Sequence, residues 1–280
     1  MRLAYFPDQV AFNGRSILGA FLESAKSRGI SVVENTTHAD AAVIWSVLWN
    51  GRLLKNQAVF NHFRKQGKPV FILEVGALRR GHTWKVSLNN TVADGIYGQM
   101  ENLDITRPER IGIGLSPIRH CRKEEILVAC QHSKSHQWTN QPPTAVWLND
   151  IVKNIRKYTQ RPIIVRPHPR NPFFLKIEGT TVESPKKIPG SHHEYDLNYD
   201  YHCIINHNSG PSTMAPIQGS PIVCDSSSLA SPMSGSIENI ETIGLPDRHD
   251  WFLKICHTEW TEDEIRSGIP LNRLFRYIDY

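Results

Sequence analysis

Residues 203–225 read CIINHNSGPSTMAPIQGSPIVCD. Cys203 to Asn206 is an apolar run of strand length, and a second, Pro221 to Cys224, follows about ten residues on. Between them Pro211 suits the first turn of a helix that Gly219 would end. Strand, helix and strand, with both strands apolar throughout, predict a βαβ unit of a parallel sheet covered on both faces.

The same alternation extends in both directions. Ile126 to Cys130 and Pro162 to Val165 read as strands around a helix over Thr144 to Tyr158, Val182 begins a short strand, and Trp251 to Ile255 and Glu262 to Ser267 read as helical. Toward the N-terminus, Leu3 to Phe6, Val32-Val33, Ala41 to Val47 and Pro69 to Glu74 are strands. Ile17, Leu18, Phe21, Leu22 and Ala25 lie at helical spacing, as does the stretch Leu53 to Gln66. From Gly76 to Arg122 glycines, prolines and charges interrupt every apolar run, which predicts loops and then an interdomain crossing near residues 104 to 124. The expectation is an α/β protein of two Rossmann-like domains, 1–115 and 116–280, with mostly parallel sheets. Two such halves facing a cleft would bring the carboxyl ends of their strands to the ligand.

Composition narrows the function classes. The hydrophobic fraction of 40% against 21% charged residues supports a packed core and argues against wholesale disorder. The 32 Lys and Arg exceed the 27 Asp and Glu by five, a mild tilt toward acidic partners such as nucleotides, sugar phosphates or nucleic acid. The five cysteines (121, 130, 203, 224, 256) form no CxxC and read as small core residues of a reducing compartment. The opening MRLAYFPDQ turns polar too soon for a signal peptide, and no apolar run approaches the ~18 residues of a membrane span. A cytoplasmic protein without a membrane partner is expected.

The chemistry should sit just after the strands. In the second half those segments are Gln131-His-Ser-Lys-Ser-His136, Arg166-Pro-His-Pro-Arg170 and His207-Asn-Ser-Gly-Pro-Ser-Thr213. Flanking prolines hold His168 on an extended chain, so that the imidazole, Arg166 and Arg170 suit a diphosphate through charge-assisted bonds. An incidental basic turn would have the same composition. Ser209, Gly210, Ser212 and Thr213 lie at a helix start, which exposes N–H groups and a positive dipole end to an anion, although Ser209 or Asn208 could equally be an ordinary N-cap. His132 and His136 could share a metal on a helix, but Lys134 between them and the lack of a third ligand favour a solvated loop. The sequence has no GxGxxG, Walker, GxSxG or DxD motif, and no metal is expected.

In the first half, FILEVGALRRGHTWKVSLNN (71–90) ends a strand on Glu74 and continues through Gly76, Arg79, Arg80, Trp84, Lys85 and Asn89. A strand-end carboxylate near cations suits a general base, or else a structural ion pair with Arg79 or Arg80. Asp94 and Asp8 are rival bases.

Two Rossmann-like halves with a strand-end His168-Pro169 and the later Ser209, Ser212 and Thr213 resemble the GT-B glycosyltransferases, most nearly the capsule-type, sialyl- and polyol-phosphate transferases. The resemblance implies that 116–280 binds a nucleotide sugar, a UDP-sugar or a relative, with no other cofactor. Gln131, Ser133, Arg166, His168, Arg170, His207, Asn208, Ser209, Gly210, Ser212 and Thr213 would be its contacts. It also implies that 1–115 binds the acceptor, through Asp8, Arg79, Arg80, Trp84, Lys85 and Asn89, with Glu74 or Asp94 as base. Direct attack by the activated hydroxyl would invert the anomeric centre. The chain lacks the paired acidic Asp/Glu-Asp-Gly motif of some relatives. The basic cluster and the C-terminal WTEDEIRSGIPLNRLFRYIDY are similar to phage proteins that glycosylate hydroxymethylated pyrimidines. The preferred acceptor is accordingly 5-hydroxymethylcytosine in duplex DNA, flipped from the stack, with Trp84 as a stacking surface. A capsule or lipopolysaccharide glycan is the alternative. From other classes come a non-catalytic nucleotide-sugar-binding module and a sugar-nucleotide epimerase.

Overall fold

A computed structural model describes residues 1–119, 123–172, 177–190 and 194–278. The chain divides into two compact units, Met1–Ile113 with Leu253–Tyr280, and Gly114–Phe252.

The first unit begins β1 (Arg2–Tyr5), α1 (Arg15–Lys26), β2 (Ser31–Glu34), β3 (Ala41–Trp45), α2 (Leu54–Lys65), β4 (Val70–Val75), β5 (Trp84–Leu88) and α3 (Arg107–Arg110). β3 is central and wholly buried, and its alternating side chains separate two cores. Val43 and Trp45 join Ile17, Phe21, Ala25, Phe71 and Leu73 on the α1 face. Ala42 and Ile44 join Val59, Phe60, Phe63, Val70 and Ile72 on the α2 face. Gly29, at φ 72°, ends α1 by letting the Ile30 N–H reach back to the Ala25 carbonyl at 3.2 Å.

The second unit runs β6 (Ile126–Ala129), α4 (Thr144–Ile155), β7 (Ile163–Arg166), β8 (Thr180–Val182), β9 (Lys186–Lys187), β10 (Tyr195–Asp196), β11 (Cys203–Ile205), α5 (Gly210–Ile217) and β12 (Ile222–Val223). Its five-stranded sheet has the order β12–β11–β6–β7–β8 and is parallel throughout. Leu148, Val152 and Ile155 of α4 cover one face, packing on Ile126, Val128, Ile163, Val165, Cys203 and Ile205. β9 and β10 form a separate antiparallel pair. The strands and helix expected around residues 203–225 are present, with Gly219 at φ 84° after α5.

The chain then returns through α6 (His249–Cys256) to β13 (Glu259–Trp260), α7 (Glu262–Arg266) and α8 (Ile269–Phe275). The sequence reading assigned 116–280 to one domain, but Leu253–Tyr280 belongs to the first unit. Trp260, Ile265, Leu271, Leu274 and Ile278 are part of the α1-side core. Arg107 fixes the return: Nε donates to the Cys256 carbonyl at 2.5 Å, Nη2 to the Glu259 carbonyl, and Nη1 pairs with Glu264 at 2.5 Å. Its guanidinium also lies 4.0 Å from the Trp260 ring centroid. A second difference is β5, which lies in the segment expected to be loops. It pairs antiparallel with β4 and with β13, so the first sheet is β13–β5–β4–β3–β1–β2.

Cys130, Cys203 and Cys256 are buried and Cys224 is half-buried; burial pushes Cys130 and Cys256 up to about 12. Cys121 lies outside the described residues. No helix among the described residues is long and apolar enough to cross a membrane.

Candidate active site

In the second unit the loops leaving β6, β7 and β11 interlock along the carboxyl rim of the sheet. Asn206, which ends the apolar run, is 2% exposed and is the keystone. Its Nδ2 donates to the Ala129 carbonyl at 2.7 Å, tying β11 to β6, and to Ser209 Oγ at 3.0 Å. Its Oδ1 accepts from the Ser209 N–H at 2.8 Å, a side-chain bond to the backbone three residues on that sets the entry to α5. Sequence reasoning treated Asn206 only as the end of a strand. An amide closing an apolar run three residues before a helix-start serine was the available signal.

The Asn206 bonds bear on the capping reading of Ser209. Ser209 occupies the N-cap position of α5, but its side chain makes no cap bond. The hydroxyl is engaged with Asn206 instead, so capping does not account for it. Ser212 is different: fully buried, its Oγ donates to the Ser209 carbonyl at 2.7 Å and shares a 2.7 Å bond with Ser228 Oγ. Thr213 is also buried.

Asn208 donates its backbone N–H to Gln131 Oε1 at 3.3 Å and its Nδ2 to Ser227 Oγ at 2.8 Å, linking three rim loops. Its Oδ1 is buried and has no hydrogen-bond partner among the described residues. Asn171 of the β7 loop donates to Ser133 Oγ of the β6 loop at 3.1 Å. The His132 and His168 rings of the same two loops meet edge-on, with centroids 5.1 Å apart. His207 packs edge-on against Trp138 at 5.3 Å, and its Nε2 lies 3.3 Å from the Gln137 carbonyl. Burial lowers the His207 pKa, opposed by the Asp225 carboxylate and the Gln137 carbonyl, so the ring is held toward its neutral form.

The three basic residues expected at this rim separate. Arg170 and its charge are exposed, and its N–H donates to His168 Nδ1 at 3.1 Å. Arg166 is 5% exposed and committed to the fold: Nη1 donates to the Asn198 carbonyl at 2.8 Å and Nη2 to Tyr201 Oη at 3.0 Å. His168 lies between them, half-buried.

In the first unit Glu74 is half-buried at the carboxyl end of β4. Oε2 accepts from Ser46 Oγ at 2.5 Å and Oε1 from the Val75 N–H at 2.9 Å. Asp8 is exposed, in the turn that follows β1. In register, Glu74 pairs with Lys85 of β5, and Lys85 pairs with Glu259 of β13. Lys85 is thus flanked by two carboxylates; burial lowers its pKa and Glu259 and Glu74 oppose the shift. Its Nζ donates to the Thr91 carbonyl at 3.3 Å. Gly76 makes room for Glu259, since a Cβ there would lie 2.4 Å from Oε2 and 2.3 Å from the Thr83 carbonyl oxygen.

The other first-half candidates do not form one patch. Trp84 is half-buried against the α1-side core and pairs in register with Val75 and Trp260. Adjacent strand residues point to opposite faces, so Trp84 and Lys85 diverge. Arg79 and Arg80 are exposed, and Arg79 Nη1 donates to the Ile111 carbonyl at 3.0 Å. Asn89 lies at the amino end of β4, where its N–H donates to the Val70 carbonyl at 2.8 Å and its Oδ1 accepts from the Val70 N–H at 3.0 Å. Asp94, five residues on, is exposed. Among the described residues no group of three or more His, Cys, Asp or Glu is placed to hold a metal ion.

No family model and no curated protein sequence matches the chain. Two solved structures resemble it across nearly their full lengths. One is the Thermosulfurimonas dismutans KpsC beta Kdo 2,7 transferase, with TM-score 0.51 and 14% identity, covering 97% of this chain and 100% of that one. The other is the beta Kdo 2,4 transferase of KpsC from the same organism, with TM-score 0.50 and 12% identity, covering 96% and 98%. At such identity the likeness speaks for the fold: two Rossmann-like α/β units with mostly parallel sheets, the glycosyltransferase-like architecture of the GT-B class.

Proposed function

We propose that the chain is a glycosyltransferase that moves a sugar from a nucleotide donor to a hydroxyl of a glycan acceptor. The second unit would hold the donor along the rim formed by Gln131, Ser133, His168, Arg170, His207, Asn208, Ser209 and Gly210. The first unit would supply the acceptor's base, Glu74. The observation that carries this reading is the interlocked rim, three strand-end loops tied together through Asn206, Asn208 and Asn171. Such a rim of an open α/β sheet is where ligands bind. Two buried polar atoms on it, His132 Nε2 and Asn208 Oδ1, have no hydrogen-bond partner among the described residues. Buried orphans of this kind are rare in a finished structure and suit a bound ligand.

Phosphate oxygens would face the N–H groups at the start of α5 and the His168 and Arg170 loop. Ser212 and Thr213 would act from beneath, by holding that helix start in place. Arg166 would stiffen the β7 end from its seat on Tyr201. Glu74 would take the proton of the attacking hydroxyl while the sugar–phosphate bond breaks, and the product would be inverted at the anomeric carbon.

The structural neighbours are named as Kdo transferases, which puts Kdo first among the sugars to try and a glycan ahead of DNA as acceptor. The hydroxymethylcytosine acceptor draws on the sequence resemblance alone. The test is mass spectrometry of reactions that mix cytidine-, uridine- and guanosine-activated sugars with glycan acceptors, and separately with hydroxymethylated duplex DNA. A mass increment of one sugar on a glycan supports the reading. An increment on DNA only moves the acceptor to the nucleic acid, and donor that stays intact with every acceptor overturns the transferase.

A further inference from the structure

His132 differs from the other rim residues in its hydrogen bonding. It is 4% exposed, on the first loop after β6, and the sequence offers it only as half of a metal pair that the fold does not complete. Its two ring nitrogens are treated differently by the protein. Nδ1 accepts the backbone N–H of Lys134 at 3.0 Å, so it carries a lone pair and the proton of the neutral ring resides on Nε2. Nε2, buried, has no hydrogen-bond partner among the described residues. The ring is therefore a fixed donor to which the described residues offer no acceptor. Burial also lowers its pKa, reinforced by Arg170 and Lys134, which keeps it neutral and keeps the tautomer defined.

The neighbour across the rim is built the same way. His168 Nδ1 accepts the N–H of Arg170 at 3.1 Å, which likewise places its proton on Nε2. Both loops use a backbone N–H two residues beyond the histidine to choose the tautomer, and the two rings meet edge-on at 5.1 Å. Two imidazole donors side by side, with the Lys134 and Arg170 charges on the same loops, favour an acceptor that is anionic and has more than one oxygen. A buried N–H left without an acceptor is costly, and such an oxygen would remove that cost.

We propose that His132 is a donor-binding residue, whose Nε2–H hydrogen-bonds a phosphate oxygen of the nucleotide beside the oxygen served by His168. The inference rests on the nucleotide-donor reading of this rim and adds to it a contact that the motif resemblance does not supply. It also gives Lys134 a role through its backbone, as the group that selects the tautomer, whatever its side chain does.

The test compares wild type, His132→Phe and His132→Gln. The glutamine variant keeps an N–H donor near the Nε2 position, whereas phenylalanine fills the space without one. Calorimetric titration with a nucleoside and its 5′-mono- and diphosphates isolates the phosphate's share of affinity. Loss of one hydrogen bond to a charged group should weaken phosphate-bearing ligands on the order of 10- to 100-fold in His132→Phe. The nucleoside should be unaffected, and His132→Gln should recover most of the loss. Equal phosphate-dependent affinity in all three proteins overturns the proposal.

A second readout separates it from the nucleotide reading. Imidazole nitrogen NMR of the wild-type protein reports the His132 tautomer directly, and addition of inorganic pyrophosphate should shift the Nε2 resonance. A shift with pyrophosphate but no binding of any nucleotide would sustain the anion contact and remove the nucleotide donor. An unmoved resonance, or a ring protonated on Nδ1, would overturn the role of His132 even if nucleotides bind.

Discussion

Ser46 donates a 2.5 Å hydrogen bond from Oγ to Oε2 of Glu74, from a backbone held at φ 65°. A serine in the left-handed region costs about 1–2 kcal/mol. The surroundings hold it there: its N–H reaches the Leu73 carbonyl at 2.7 Å, and its Oγ accepts from the Leu48 N–H at 3.1 Å. The strained turn at the end of β3 thus aims a hydroxyl at the carboxylate that ends β4. With Oε1 held by the Val75 N–H, Glu74 is oriented yet keeps lone pairs for a proton. Strain maintained for the orientation of one side chain is a mark of a functional position.

If Glu74 is the base, Glu74→Gln should lower kcat on the order of 10²- to 10⁴-fold and leave donor affinity unchanged. Ser46→Ala should lower kcat about tenfold, as expected for one orienting hydrogen bond, without a matching change in KM. Asp94→Ala should retain activity. Steady-state kinetics on the three variants decide the matter, and a silent Glu74→Gln beside an inactive Asp94→Ala would transfer the role.

The two serines of the α5 entry should separate in opposite directions. Ser212→Ala removes the Ser212 partner of the buried Ser228 hydroxyl, which keeps the Ala230 N–H, and should cost about 1–3 kcal/mol of stability while the folded fraction binds nucleotide as before. Ser209→Ala removes a half-buried hydroxyl from the rim and should weaken nucleotide about tenfold with a small effect on stability, because the bond from its N–H to Asn206 Oδ1 survives. Thermal denaturation and calorimetry on the same preparations measure both quantities. Ser212→Ala that loses affinity without losing stability would reverse the assignment.

The parallel strands were legible in the sequence because each is an unbroken apolar run between polar loops, as at Ala41–Trp45 and Ile126–Ala129. β5 was not. In Trp84-Lys-Val-Ser-Leu88 the lysine is a strand residue whose charge is flanked by Glu74 and Glu259. One of those carboxylates lies 174 positions further along the chain (259 minus 85), beyond any local window. The same distance hid the return of Leu253–Tyr280, since Glu259–Trp260 is too short to announce a strand and is specified by its partner β5 and by Arg107. At the rim the three expected loops interlock, but their bonds cross between loops, beyond a local reading of the sequence. Arg166 is polar in sequence and structural in space, whereas Asn206 bonds to the Ala129 carbonyl of another strand and His132 meets the His168 ring of the neighbouring loop.

Gly76 offers a test of the buried carboxylate at Glu259. Ala77 and Leu78 donate their N–H groups to Glu259 at 2.7 and 3.1 Å, and Thr83 donates its hydroxyl at 2.8 Å. A Cβ at Gly76 would meet both Oε2 and the Thr83 carbonyl well inside contact distance. Gly76→Ala should destabilise the protein by about 3 kcal/mol, seen as a lower denaturation midpoint, and should expose the amides of Ala77 and Leu78 to hydrogen exchange. A wild-type midpoint and unchanged exchange would mean that the β4 loop yields freely.

Stability should also fall between pH 7 and pH 5, and histidines should be the cause. His132, His207 and His257 are 4%, 5% and 3% exposed. Burial lowers each pKa from the ordinary 6.5, the Arg170 and Lys134 charges adding to the shift for His132 while Asp225 and the Gln137 carbonyl oppose it for His207. For His257 the Leu253 carbonyl opposes, Arg107 and Arg273 add, and Asp104 opposes. A ring with a lowered folded pKa binds fewer protons in the native state, so its contribution is complete above 6.5 and is lost as pH falls below it. Asp225 and Glu264 also lie below their ordinary 3.8 and 4.5: burial raises each, and the combined hydrogen bonds and charges of Ser227 and His207, and of Arg107 and Thr261, outweigh it. Those carboxylates lose their contributions only below that acid range, so pH 5 to 7 isolates the imidazoles. Denaturant midpoints across that interval should rise with pH. His257→Asn, which keeps a donor for the Leu253 carbonyl 2.8 Å from Nδ1, should flatten part of the slope. A slope that is unchanged in His257→Asn and in the matching His207→Gln would assign the proton uptake to groups outside both buried sites.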